Sequence, residues 1–264
     1  MLMSACPKRI LKMYDFQKAN MWKRISAAIF DFIILVIFII GFAWVISSVA
    51  NYDHYADAMQ EQYEQFEAQH GVDFDISAKE YEALSETEKS AYLEAEKAFS
   101  QNAEVNKNFQ MLFNLTLIIV TFSILLSYLL LDFAVPLIFK NGQTLGKKIF
   151  GVGVMRADGV RLSTMLLFIR TVLGKYTIET MIPVLLAIML YFNVMGVLAI
   201  MIIAILLIVQ LILFIATNIH TPLHDKLAST VTVDIASQMI FNNAEELLQY
   251  KQKLHAENAA NTEY

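Results

Sequence analysis

Cysteine is nearly absent. Cys6 stands alone, so no disulfide can close within the chain, and a reducing compartment suits it. Charge is scarce too: 17% of the 264 residues are charged and 57% are hydrophobic, a balance too apolar for an ordinary soluble domain. The polar, basic stretch from Met1 to Arg24 lacks the short apolar core and small-residue cleavage site of a signal peptide, so the first apolar segment is expected to persist. Several chemical signatures are incomplete. Gly142-Gln-Thr-Leu-Gly146-Lys147-Lys148 is one residue short of a phosphate loop and has no Ser or Thr after the first lysine. Gly151-Val-Gly153 does not open a helix within a βαβ unit, which excludes a dinucleotide site. Pro222, between His220 and His224, breaks the helix that would align two metal ligands, and both histidines read as interfacial. No enzyme activity, cofactor, metal or nucleic-acid partner is expected.

What the chain has instead is long uncharged runs. A hydrocarbon core of roughly 30 Å needs about 20 apolar residues in a helix. Phe32 to Ala50 runs 19 residues without a charge, Gln110 to Leu131 runs 22, and Thr180 to Ile219 runs 40, enough for two crossings around a turn at Asn193 to Gly196. The reading is an all-α membrane protein of about four transmembrane helices, at 25–50, 110–139, 164–192 and 196–219. The third has an interfacial start, because Arg170, Lys175 and Glu179 are costly in lipid unless they face protein or snorkel.

Basic residues near helix ends stay in the cytoplasm. The arm 1–24 carries six (Lys8, Arg9, Lys12, Lys18, Lys23, Arg24) against Asp15, and the loop 140–163 carries five against Asp158. The segment 51–109 holds fourteen Asp and Glu and four Lys, 4 − 14 = −10, and is placed outside. Both termini are therefore expected in the cytoplasm. In the acidic segment Ser77-x-x-Glu80 and Ser85-x-x-Glu88 are capping boxes, and Tyr81, Leu84, Tyr92, Leu93 and Phe99 give an apolar stripe, so short packed helices are expected there. In the loop, Ile149 to Met155 is β-prone, Asp158-Gly159 is a hairpin turn signal, and Thr230 to Val233 alternates at strand period. A small cytoplasmic β-hairpin or sheet unites them. The tail 220–264 carries a short amphipathic helix capped from Asn242 with Glu245, suited to a protein partner.

Three separated pieces stand out: Arg24-x-x-Ala27-x-x-x-Asp31, then Asn141-Gly-Gln-Thr-Leu-Gly-Lys147 leading to Val154-x-x-x-Asp158-Gly159, and Leu223-His-Asp225-Lys-Leu-Ala-Ser-Thr230. In this order they resemble the RDD family of bacterial membrane proteins. The resemblance places the family's name residues on Arg24, Asp31 and Asp225. Its cytoplasmic motif falls on Gly142, Thr144, Leu145, Gly146, Lys147 and Thr230, and the acidic segment looks like an insertion. It implies a multi-pass protein of the bacterial cell membrane, with transport of unspecified ligands and cation/proton antiport as the activities proposed for such proteins. Ser229 stands where the family often has Gly, which is harmless if the backbone there avoids positive φ.

Asp31 lies seven residues after Arg24, about 10 Å along a helix, too far for a direct pair. A lone carboxylate at that depth costs roughly 2.5–3.5 kcal/mol unless partnered. Asp132 sits at a similar depth, and Arg170 is the cation suited to bridge both as a planar fork. Asp31, Asp132 and Arg170 thus form the expected intramembrane cluster, lining a cation or proton path or tying helices together. Arg24 and Asp225 are expected to pair at the cytoplasmic rim. Four helices leave little room for a pathway, so a homo-oligomer or a partner membrane protein in the bilayer is expected; the alternative is a scaffold or regulator that transports nothing.

Overall fold

Uncharged runs of this length must satisfy their backbone hydrogen bonds internally, and helix dominates accordingly. A computed structural model describes residues 19–192, 196–216 and 222–262. In chain order the elements are α1 (Met21–Val49), α2 (Tyr52–His70), α3 (Ala78–Ala83), α4 (Glu86–Gln101), α5 (Ala103–Phe139), α6 (Leu145–Ile149), β1 (Val152–Arg156), α7 (Thr164–Tyr191), α8 (Val197–Ala216), α9 (Leu223–Leu227), β2 (Thr230–Asp234) and α10 (Ala244–Thr262). Three of these, α1, α5 and α7, are long and apolar enough to cross a bilayer, and α8 is a shorter apolar helix. Apolar side chains are exposed over most of α8, among them Val197, Leu198, Ile200, Met201, Ile205 and Leu207, while Ala199 is buried and Ile203, Leu206 and Gln210 on the same stripe are partly covered. Gly196 directly precedes α8; Asn193, Cys6, His220 and the basic arm up to Lys18 lie outside the described residues.

The chain divides into two compact units, one being Ile40–Ser123. This unit holds the acidic segment, which is helical for local reasons. Ser77 and Ser85 each accept the backbone N–H of the residue three along, and Glu80 and Glu88 return the bond, so both capping boxes are closed. Gly71, at φ 65°, ends α2 in the left-handed conformation. Tyr63, Phe66 and Phe74 gather on Phe99 at ring-centroid distances of 4.5, 5.2 and 5.6 Å. Leu93, expected in this apolar stripe, is 53% exposed. It sits one residue past Tyr92, about 100° round the helix, while Tyr92, Ala95 and Phe99 keep the inward spacing.

The other unit is Met1–Ile39 with Ile124–Tyr264. Its sheet pairs β1 with β2 antiparallel, Val152 opposite Asp234 and Arg156 opposite Thr230, so the two strands come from distant parts of the chain. The Asp158-Gly159 turn is present, with Gly159 at φ 91° and the Arg156 amide donating to the Val160 carbonyl at 2.9 Å. Ile149 closes α6 instead of starting the strand, because Gly151 at φ 68° reverses the chain first. Met155, Val231 and Val233 are buried against each other and Ile240. Lys23 reaches Asp234 at 2.8 Å, tying the start of α1 to the end of β2. The cap of α10 falls one residue later than expected: Asn243 accepts the Glu246 amide at 2.7 Å, and the Glu246 carboxylate accepts the Asn242 N–H.

Two of the apolar helices contain wide, π-type turns: α5 over Leu129–Ala134 and α7 over Ile169–Met181. A proline follows each by two residues, Pro136 and Pro183, and removes an amide that the preceding turn would have used. At α5 the vacancy is used. The Asp132 carbonyl accepts the buried Thr171 hydroxyl of α7 at 2.9 Å, which binds the two wide turns together.

Candidate functional site

Both wide turns carry charge into one place. A cavity of about 360 Å³ is lined by four acids (Asp31, Asp132, Glu179, Asp225), four bases (Arg24, Lys147, Arg170, Lys175) and His224. All three residues of the expected cluster, Asp31, Asp132 and Arg170, line this cavity, as do Arg24 and Asp225, but the pairing differs from the fork.

Asp31 is held by the loop that only superficially looks like a phosphate loop. Thr144 caps α6 by accepting the Lys147 amide and donates its hydroxyl to Asp31 Oδ2 in a short bond. The Gly146 amide donates to Oδ1 at 2.7 Å, and Lys147 Nζ lies 3.7 Å from Oδ2. A Cβ on Gly146 would stand 2.5 Å from the Ala27 carbonyl oxygen, so only glycine lets α6 lie this close to α1. The rest of the motif fixes the loop against β1. The Asn141 carbonyl accepts the Val154 amide at 3.2 Å, and the Gln143 side chain donates to the Val152 carbonyl at 2.9 Å. Gly142, at φ 61°, passes so near Val154 that a Cβ would meet its carbonyl oxygen at 2.8 Å. The motif therefore cradles a carboxylate of its own chain with the donors that a phosphate loop turns on a ligand. Leu145 borders a small gap between Asp31 and Asp132.

Asp132 is 4% exposed and pairs closely with Lys175 Nζ. Arg170, 2% exposed, gives its Nε–H to Asp225 Oδ1 at 2.6 Å instead of bridging Asp31 and Asp132. The reason is the return of the chain after α8. Gly174 leaves room for α9 to dock on α7, where a Cβ would meet the His224 Cβ at 2.5 Å, and this docking sets Asp225 beside Arg170. Arg170 thus pairs with Asp225, and Arg24, expected there, lines the same cavity within electrostatic reach of Asp225. Thr230 donates to Asp225 Oδ1 at 2.8 Å and Thr232 to Oδ2 at 3.3 Å, so β2 completes the shell. Glu179 receives the His224 amide at 3.0 Å and the ring Nδ1 at 2.8 Å. His224 is a partner within the site, not an interfacial residue.

Three groups outside the spanning segments show how this environment acts on protons. Burial alone would raise the Asp225 carboxyl, but Arg170, His224 and Thr230 hold it well below the usual carboxylate range. Burial lowers the His224 imidazole below its ordinary value despite the adjacent Asp225. Burial, with Lys175 and Arg170 nearby, lowers the Lys147 ammonium to about 8 against the pull of Asp132 and Asp31. Lys175, Glu179, His224 and Thr232 were not assigned partners from sequence. The available signal was the spacing of Arg170, Lys175 and Glu179 within an apolar segment, since each such charge requires a counter-group.

Ser229 departs from the condition set for it, since its φ is 49°. Its carbonyl accepts the Ala157 amide at 2.9 Å, which holds the turn between α9 and β2 in place. Ser229→Gly is expected to stabilise the protein by about 1 kcal/mol by removing the left-handed cost of a residue with a Cβ. Thermal unfolding in detergent measures it, and a lower midpoint for the glycine variant would contradict the strain.

The model of the RDD family matches residues 18–229. No curated protein and no solved structure matches the chain.

Proposed function

We propose, for a chain that belongs to the RDD family of membrane proteins, that it is a small cation- or proton-coupled transporter whose path runs through the charged cavity. The observation that carries this reading is a set of acids and bases facing a cavity among apolar helices. A cluster serving only as glue gains from close packing without a void, because water or an open volume weakens buried ion pairs. Lys147, with its ammonium lowered to about 8, changes charge near physiological pH next to Asp31. The charge asymmetry of the loops supports a cell-membrane protein with both termini in the cytoplasm and the acidic segment outside. The small number of apolar helices, three long and one shorter, leaves little room for a path within one chain and supports an oligomer.

Purified protein in proteoliposomes is expected to carry saturable Na⁺, K⁺ or H⁺ flux. Asp31→Asn is expected to reduce that flux at least tenfold while inserting normally. Flux unchanged in Asp31→Asn removes Asp31 from the path. A second reading, a membrane scaffold or regulator, draws on the way each acid ties two elements: Asp31 to α6, Asp132 to α7, Asp225 to α7 and Glu179 to α9. The absence of flux in both proteins would favour it.

A further inference from the structure

The hydrogen-bonding capacity of the cavity is unevenly used. Each of its carboxylates already accepts from nearby groups: Asp31 from Thr144 and Gly146, Asp132 from Lys175, Asp225 from Arg170 and two threonines, Glu179 from His224. A guanidinium has five N–H donors in a planar fork. Arg170 gives one of them, Nε–H, to Asp225, and its two terminal nitrogens have no hydrogen-bonding partner among the described residues, although the side chain is 2% exposed and lines the cavity. Those nitrogens are not sealed in the interior but open onto the cavity, where a ligand's oxygens could meet them. Along α1, Ile25, Phe32 and Leu35 give the same cavity an apolar wall.

We infer that the cavity binds a small amphiphilic anion, its phosphate or carboxylate on the terminal nitrogens of Arg170 and its apolar portion along Ile25, Phe32 and Leu35. The planar fork of Arg170 matches the two oxygens of such a group, a geometry that an ammonium cannot reproduce. Lys147 and Lys175 line the cavity as well, each beside a carboxylate of its own, Asp31 and Asp132. Burial, with Lys175 and Arg170 nearby, lowers the Lys147 ammonium to about 8, and a bound anion would raise it again. This names the substrate class of the cavity proposed above and rests on that reading for transport. Its test is equilibrium binding, so flux can fail while binding stands, and the reverse.

The test uses the full chain in an uncharged maltoside detergent, titrated with hexyl phosphate and hexanol. Hexyl phosphate is expected to bind at least tenfold more tightly than hexanol. Arg170→Lys, which keeps a positive charge beside Asp225 but loses the fork, is expected to weaken hexyl phosphate at least tenfold and leave hexanol unchanged. Equal binding of the two probes by the wild type, the result if water alone fills the cavity, overturns the inference without any variant having to fold. Unchanged hexyl phosphate binding in Arg170→Lys overturns it as well. Repeating the titration in phosphatidylcholine and phosphatidylglycerol nanodiscs separates the sources, and both results uphold the site: competition by phosphatidylglycerol assigns a lipid headgroup, no competition a soluble amphiphile.

Discussion

Asp225→Ala is expected to lower stability by about 3–5 kcal/mol, because it leaves Arg170 buried with no carboxylate beside it. The loss comes from isolating the remaining charge, more than from the pair's own net contribution, which desolvation largely offsets. A double change, Arg170→Met with Asp225→Ala, is therefore expected to recover much of the loss, since it removes the stranded charge. Chemical or thermal unfolding in detergent compares the three proteins, and equal loss in the single and double variants would rule out this account. The pH dependence has a definite sign. A carboxylate whose folded pKa is depressed contributes stability above its unfolded pKa, about 4, and loses it only as pH falls through the folded value. The Asp225 contribution is thus full at neutral pH and persists well into acid, and in Asp225→Ala the acid limb of the stability curve should flatten.

Gly174→Ala is expected to cost about 3 kcal/mol and to weaken the same pair at a distance. The added methyl would stand 2.5 Å from the His224 Cβ and 2.8 Å from its Cα, and the latter is backbone that cannot rotate away. Relief requires α9 to move off α7, and α9 carries Asp225 away from Arg170 and His224 away from Glu179. Combining Gly174→Ala with Asp225→Ala should therefore cost less than the two effects added, a coupling that a mutant cycle measures directly. Full additivity would mean that the docking of α9 and the ion pair are independent.

The apolar helices, the capping boxes of the acidic segment and the β-prone segments were legible because their signals are local: an uncharged run, a serine three residues before a glutamate, an alternation of valine and threonine. Three members of the charged site, Asp31, Asp132 and Arg170, were legible as well, since an ionisable residue in an apolar run stands out, whereas Lys175, Glu179 and His224 were not assigned to it. The pairing was not legible. The distance of a residue from the helix end sets its depth but not the direction it faces, and the wide turns over Leu129–Ala134 and Ile169–Met181 alter that direction for Asp132, Arg170, Lys175 and Glu179. Pro136 and Pro183 mark those turns only in hindsight, because proline in an apolar helix is compatible with a simple kink. Gly174 carried no sign that a segment 50 positions later would rest on it. Ser229 was misleading in the other direction, for serine adopts a positive φ too seldom to be expected there.

The partners of the buried acids also leave the ribosome at widely separated times. Asp31 precedes Thr144 by 113 residues, Asp132 precedes Lys175 by 43, and Arg170 precedes Asp225 by 55. During synthesis the first helix therefore enters the bilayer with a carboxylate that has no donor, and it waits for the acidic segment, all of α5 and the start of the following loop before the cradle can close. Arg170 in turn receives its counter-charge only after the rest of α7 and all of α8 have been delivered. Any chain stalled or cut before α9 therefore keeps a guanidinium in its apolar bundle without the carboxylate that pairs with it in the complete fold.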